Sequence, residues 1–482
     1  MSNTISRQID GLDAVALANL VRRGEIGATE LLNATLARVD NLHPQLNAVV
    51  ERFDDLALSH AVHCNSTGSL AGVPVFLKVL WSACTGAPLS VAGELLRGVK
   101  SPGDSYVTAR LKASGAVIAG MTNSPEMGLV TTTEPRRYGA THNPWHPALS
   151  PGGSSGGASA IVAAGISPLA HGSDGGGSIR IPAACCGLVG LKPSRGRVSF
   201  GPDVGEGWGG MAYLGCVSQT VRDTATFLDV VAGPEPGDPY TAPPPPRPYV
   251  EEVGVAPGRQ RIGICLKSFN GQAVDKECID AANNAAAKLQ ALGHELIEIE
   301  PPMDPEQLWG PSGQIIAVNV ANAIDGIGRA RGRAVSEEEV ETTTWQLVNE
   351  GRQVSGAAYV ADVAFIQTLG RQVAAQFNGI DLMLTPTMAV PDIPLGKIDA
   401  MRDDPEAFYD ALLPTVAFTS LFNATGQPAI SLPLVARANG LPIGIQLVAP
   451  YGEEGLLLRM AAEAEAAYPW AGRVPAIHVT NT

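Results

Sequence analysis

Charge is scarce in this chain, and what there is leans acidic. Of 482 residues only 17% are Asp, Glu, Lys or Arg, and 33 Lys+Arg stand against 47 Asp+Glu for a net charge of −14. A chain without a basic excess has few cations with which to release the counterions of a nucleic acid, so charge excludes a polyanionic partner. Long apolar runs are also missing. No stretch of roughly eighteen apolar residues occurs, so no membrane span is expected. The opening MSNTISRQIDGLDAVALANLVRRGE has neither an apolar h-region nor a small-residue cleavage site, and no signal peptide is read there. Cysteine is sparse and odd in number, seven in all, with Cys185 and Cys186 adjacent and no C-x-x-C pair. That pattern excludes a disulfide framework and predicts a cytoplasmic protein.

What is present is apolar. Hydrophobic residues make up 45% of the chain, enough for a large core and wrong for a disordered segment. The 54 glycines and 37 prolines, about a fifth of the chain, fall below the roughly 25–30% of low-complexity sequences. At ~150 residues per domain the length would allow about three domains, although large α/β enzymes exceed that as one unit.

The pattern alternates. Residues 12–41 carry two helical faces separated by Gly24, Ala71–Leu80 and Ala116–Met121 read as strands, and Asp104 is placed to cap a helix ending near Gly115. Residues 150–190 read as Gly- and Ser-rich turns around a small-residue helix, Ala158–Ala164. A proline-rich linker occupies 234–248, after which Arg261–Leu266 and Asp280–Leu292 restart a strand and a helix. Residues 305–378 are helical in character, and Leu382–Leu384, Ala429–Pro433 and Gly444–Val448 are short strands before a closing helix, Leu456–Ala467. These elements predict an α/β fold with a mixed sheet.

Three anomalies point to chemistry. Between Asp55 and Glu94 the only charged residue is Lys78, inside an apolar strand. Burial there lowers an amine's pKa and makes it a usable base; a snorkelling or distantly paired lysine is the competing reading. From Tyr138 to Ser173 there is no charge at all, and this stretch holds Gly152-Gly153-Ser154-Ser155-Gly156-Gly157. Then comes Ser173-Asp174-Gly175-Gly176-Gly177-Ser178-Ile179-Arg180, where glycine amides uncovered by side chains could hold the oxyanion formed when Ser178 attacks a carbonyl. Flexible loop is the plain alternative for either glycine run.

Lys78, GGSSGG at 152–157 and GSDGGGSIR at 172–180 followed by IPAACCGLVGLKPSRGRVS closely resemble the amidase signature family. The resemblance extends through TNSPEMG at 122–128, FNATGQP at 422–428 and GLPIGIQ at 440–446. TTTEP at 131–135, HNPW at 142–145 and YPW at 468–470 look most like its 6-aminohexanoate cyclic-dimer hydrolase and urethanase-like branch. The resemblance implies an α/β amidase fold over a single domain, 1–482, with a signature core at about 70–220 and a variable substrate region at about 305–400. It implies no cofactor and no metal. It also implies a Ser–cis-Ser–Lys triad, with Ser178 as nucleophile, Ser154 as bridging serine and Lys78 as base. The amides of Gly175, Gly176, Gly177 and Ser178 would form the oxyanion hole, and Asp174 and Arg180 would brace the loop as a buried pair. A small amide or carbamate is the implied substrate, linear or cyclic oligoamides and urethanes included, and a homodimer is the expected assembly.

Two departures from the family stand out. Val79 follows Lys78 where many relatives have aspartate, and Gly175 replaces the usual threonine, isoleucine or alanine, which predicts a looser oxyanion loop or a wider pocket. Three alternatives within the family's reach are a general acylamidase with esterase side activity, a catalytically dead scaffold, and the glutaminase subunit of a tRNA-dependent complex. The scaffold is disfavoured because Lys78, Ser154 and Ser178 are all present. The glutaminase branch commonly has glutamine where Ile181 follows Arg180. Other signals are set aside. Gly205-x-Gly207-x-x-Gly210 follows no predicted strand and contains Trp208. His60, His63 and Cys64 lack a second ligand cluster for zinc. His171 is not needed by a serine–lysine triad, and Cys185 and Cys186 read as core. Trp81, Met127, Trp208 and Trp309 are candidates to line an apolar pocket, with core packing the competing role for each.

Overall fold

The computed structural model describes residue 5, residues 8–304 and residues 307–481. Residues 1–4, 6, 7 and 482, and residues 305 and 306 at the start of the expected variable region, lie outside the described residues.

Among the described residues, eleven strands form one sheet. They are β1 (Val49–Glu51), β2 (Pro74–Lys78), β3 (Val117–Thr122), β4 (Leu169–Asp174), β5 (Val189–Lys192) and β6 (Tyr213–Ser218). Then follow β7 (Arg261–Ile264), β8 (Glu295–Glu298), β9 (Leu382–Pro386), β10 (Ala429–Ala436) and β11 (Pro442–Val448). Their order across the sheet is β1-β3-β2-β4-β6-β5-β10-β11-β9-β7-β8. β2 runs parallel to both β3 and β4, and β7 runs parallel to β8 and β9. The strands between β4 and β9 pair antiparallel. This is the mixed α/β sheet expected.

Every residue of β2, β3, β4 and β6 is buried. Helices cover both faces, so these central strands are apolar throughout rather than alternating. Lys78 at the end of β2 is therefore the anomaly that its sequence position implied. The helices Ala14–Arg22 and Ala28–Leu46 fall where their periodicity placed them, and Trp309–Arg331, Thr342–Gln353 and Gly356–Gln376 fill the helical stretch. No helix among the described residues is long and apolar enough to cross a membrane.

Two local expectations are corrected. The helix Tyr106–Ala113 is capped by Ser105, whose Oγ accepts from Thr108 N at 3.3 Å. Asp104 instead accepts from Thr85 N at 2.7 Å and pairs with Lys112 at 2.9 Å. Residues 150–190 are not mainly turns, because they include β4 and the helix Arg180–Cys186. The β4 sequence LAHGSD has little intrinsic strand preference, and burial between β2 and β6 decides its conformation.

Candidate active site

β2 and β4 run parallel side by side, so their C-terminal ends bring Lys78 and Ser173-Asp174 to one edge of the sheet. The GGSSGG segment arrives at the same edge and runs into the first turn of the helix Gly156–Ala163. It is packed rather than loose. A side chain at Gly153 would meet Thr132 O at 2.3 Å, and one at Gly157 would meet Asn123 N at 2.4 Å. The Gly153–Ser154 peptide is cis.

Lys78 is fully buried, and its Nζ donates to Ser154 Oγ at 2.6 Å and Ser173 Oγ at 2.8 Å. It does not snorkel. Burial pushes its pKa down to about 7, with the Asp174 charge opposing the fall. The His171 ring accepts from Lys78 N at Nδ1, 3.3 Å away, while burial and then Lys78 push the imidazole pKa down to about 3. A neutral histidine behind the lysine backbone is a packing residue here.

Ser178 is nearly buried at 8% exposure, and its carbonyl accepts from Ser155 N at 3.1 Å. Its Oγ has no hydrogen-bond partner among the described residues. Lys78, Ser154 and Ser173 thus form one hydrogen-bonded cluster, with Ser178 beside it and its hydroxyl uncommitted. Ser173 escaped the sequence reading because a serine before Asp174 carries no signal of its own. Only the pairing of β2 with β4 turns it toward the amine.

The glycine loop is held from below. Asp174 and Arg180 are both fully buried and form a two-pronged pair, Nη2 to Oδ1 at 2.9 Å and Nε to Oδ2 at 3.0 Å. Burial pushes the Asp174 pKa up, but the Arg180 guanidinium and Asn423 outweigh it and hold the carboxylate well below its ordinary range. Asn423 Nδ2 donates to Asp174 Oδ1 at 2.8 Å, and Arg180 Nη1 donates to Gln446 Oε1 at 2.7 Å. Asp174 Oδ1 also accepts from Gly177 N at 2.7 Å. That bond corrects the expected donor set: the Gly177 amide serves the loop's own carboxylate. The amides of Gly175, Gly176 and Ser178 have no acceptor among the described residues. Gly177 has a different duty. At φ +134 a side chain there would stand 2.5 Å from Thr419 Oγ1, the hydroxyl that donates to Gly176 O.

A cleft of about 130 Å³ opens over Gly175, Gly176 and Ser178 and continues past Trp208, Trp309, Ile316 and Tyr409. Among the described residues, no Asp, Glu, Lys, Arg or His lines it. Trp208 and Trp309 are among its lining residues. Trp81 is not; it stands behind Trp208, edge to face with centroids 5.6 Å apart. Met127 is not part of the lining either, its backbone turned at φ +54 and its side chain packed with Leu95 and Val320 in a neighbouring core. The bulge that carries it puts Gly128, one residue on, at the wall.

A model of the Amidase family matches residues 30–458. The chain is 42% identical to the 6-aminohexanoate-cyclic-dimer hydrolase of Paenarthrobacter ureafaciens over 475 residues, which is 96% of each protein. It superposes on a structure of 6-aminohexanoate cyclic dimer hydrolase complexed with substrate with a TM-score of 0.93 and 41% identity, covering 97% of this chain and 99% of that one. A bacterial aryl acylamidase structure follows at a TM-score of 0.87 and 27% identity, covering 96% and 98%.

Proposed function

The chain belongs to the amidase family and hydrolyses amide C–N bonds other than peptide bonds, and from that premise we propose that it does so through a Ser178 acyl-enzyme with Ser154 and Lys78 as its proton relay. The observation that supports this reading most is the buried contact of Lys78 Nζ with Ser154 Oγ, 2.6 Å, beside the uncommitted Ser178 hydroxyl. A serine hydroxyl attacks a carbonyl only when a base removes its proton. An amine with its pKa lowered to about 7 is half neutral near neutrality and has a lone pair to offer. When substrate fills the cleft, Ser178 Oγ turns toward Ser154 and attacks the carbonyl carbon. Its proton passes to Ser154, whose own proton moves to Lys78 Nζ. The C–N bond then breaks as the proton returns through Ser154 to the leaving nitrogen. Water repeats the path in reverse roles, giving the acid and restoring Ser178. Amides of Gly175, Gly176 and Ser178 stabilise the oxyanion at each tetrahedral stage. Asp174 and Arg180 hold the loop in place. We take 1–482 as one amidase unit, since strands from both halves of the chain are adjacent in the sheet.

The substrate class follows from the cleft. Its uncharged lining would leave an ammonium or carboxylate without a partner, which is costly in a desolvated pocket. Small neutral amides or carbamates, including linear or cyclic oligoamides whose charged ends stay outside the cleft, fit it. The test is a matched amide, carbamate and ester panel with one aniline or phenol reporter. The amide should turn over, and Ser178→Ala should reduce turnover by roughly 10⁴-fold or more while the protein stays folded. Substantial residual hydrolysis would overturn the assignment. Carbamate turnover rivalling amide turnover identifies an acyl pocket that accepts an alkoxy group.

A further inference from the structure

The wall of the cleft beside the glycine loop depends on two residues far apart in the chain. Trp208 has φ +51, a left-handed conformation that a bulky residue rarely adopts. Glycines on both sides permit the turn. A side chain at Gly207 would meet Ala212 Cβ at 2.7 Å, and Gly209 and Gly210 have φ +63 and +81. Arg195 Nε pins the turn through Gly210 O at 2.7 Å, and Asn423 Nδ2 pins it through Met211 O at 3.1 Å. Asn423 also donates to Asp174, so the turn that presents the indole and the strand end that presents the glycines share one anchor.

The indole then lies directly on Gly175. A Cβ at that position would stand 2.5 Å from Cζ3 and 2.6 Å from Cε3 of Trp208. The backbone at 175 is not left-handed, so the ring, not the local conformation, requires glycine. The space left by the missing side chain is occupied by the indole, and the wider pocket expected from the sequence is not there. Trp81 supports the indole at an interplanar angle of 79°, and Phe200 supports Trp81 with centroids 5.7 Å apart. The remainder of the Trp208 ring, partly exposed, is cleft wall beside Ser178.

Building on the proposed function, we propose that Trp208, seated by Gly175 as its positioning residue, determines specificity by favouring substrates with an aromatic ring next to the scissile bond over those with a saturated ring of the same size. A flat ring can stack on or meet the edge of an indole, whereas a puckered ring gains only the area it buries. An aromatic pair of this kind corresponds to roughly three- to tenfold in affinity.

The test measures calorimetric binding of two matched pairs to Ser178→Ala protein: N-phenyl against N-cyclohexyl butanamide, and N-butyl benzamide against N-butyl cyclohexanecarboxamide. Binding needs no turnover, so it reads the wall whether or not Ser178 is the nucleophile, while residual hydrolysis by Ser178→Ala would count against the catalytic reading alone. The phenyl member should bind roughly three- to tenfold tighter in at least one pair. Trp208→Leu should abolish that preference and Trp208→Phe should keep most of it. Gly175→Ala should abolish it by displacing the ring, yet change nothing further when added to Trp208→Leu, the non-additivity expected of residues in contact. An equal preference in Trp208→Leu, or no preference in either pair before substitution, would overturn the proposal.

Discussion

At the scale of single residues the site turns on one amine. Lys78 is fully buried with its pKa brought down to about 7 by burial, so its charge state changes in the range where the enzyme would be assayed. The proposed base must be neutral, and neutrality is gained as pH rises. kcat/KM should therefore climb through a limb centred near pH 7, and Lys78→Ala should lose about 10²-fold or more and flatten that limb. A profile flat between about pH 5 and 9 in the unsubstituted protein would remove Lys78 from the role. The lysine was legible in the sequence because a lone charge inside an apolar strand is conspicuous. Ser173 was not, because its meeting with Lys78 at 2.8 Å comes from strand pairing. Nor was the use of the Gly177 amide by Asp174, since three consecutive glycines look alike until the loop is folded.

At the scale of elements, the decisive join is between β4 and the helix Arg180–Cys186. Asp174 ends the strand, Arg180 begins the helix, and the glycine loop with Ser178 is the short link between them. The carboxylate accepts from Gly177 N, Ile179 N at 3.1 Å and the Arg180 guanidinium, so it organises the first turn as well as the loop. Removing one partner of a buried pair leaves the other charge uncompensated. Arg180→Met should cost about 3–5 kcal/mol in denaturant unfolding. A loss below about 1 kcal/mol would show that Asn423 alone suffices for Asp174. Resemblance to the amidase signature family implied the pair, but the Asn423 and Gln446 contacts reach it from the far end of the chain and no local pattern indicates them.

Across the whole molecule, a pair of buried carboxylates, Glu126 and Glu341, joins segments 215 residues apart. Glu341, ahead of the helix Thr342–Gln353, donates through its backbone N–H to Glu126 Oε1 at 2.8 Å, and its own carboxylate accepts from Arg136 N at 2.7 Å. Burial, then the charge of Glu126, pushes the Glu341 pKa up from 4.5 to about 7. Arg136 opposes that rise and Asp399 adds to it. The folded state therefore keeps a proton that the unfolded chain releases, and stability falls as pH rises from about 4.5 to about 7. Glu341→Gln should make that slope shallower in the melting temperature measured between pH 5 and 8, the remainder belonging to Asp223 and Glu465, which burial raises to about 8 and about 7. An unchanged slope would assign the proton elsewhere.

The sequence by itself determined the chemistry available. An apolar, charge-poor chain had to bury its strands on both faces; Lys78 stood out as a lone charge in one of them and two glycine runs framed Ser154 and Ser178, while resemblance to the amidase signature family supplied their expected roles and the Asp174–Arg180 pair. Those signals survive in one dimension because each is a violation of local expectation: a charge in a strand, or glycines where a helix begins. Tertiary structure alone decided which of these groups touch. The order β3-β2-β4-β6 set Ser173 against Lys78, and a turn near residue 208 laid an indole on Gly175 and closed space that the sequence left open. Contacts between residues tens to hundreds of positions apart depend on strand order and loop path, and neither periodicity nor motif spacing encodes them.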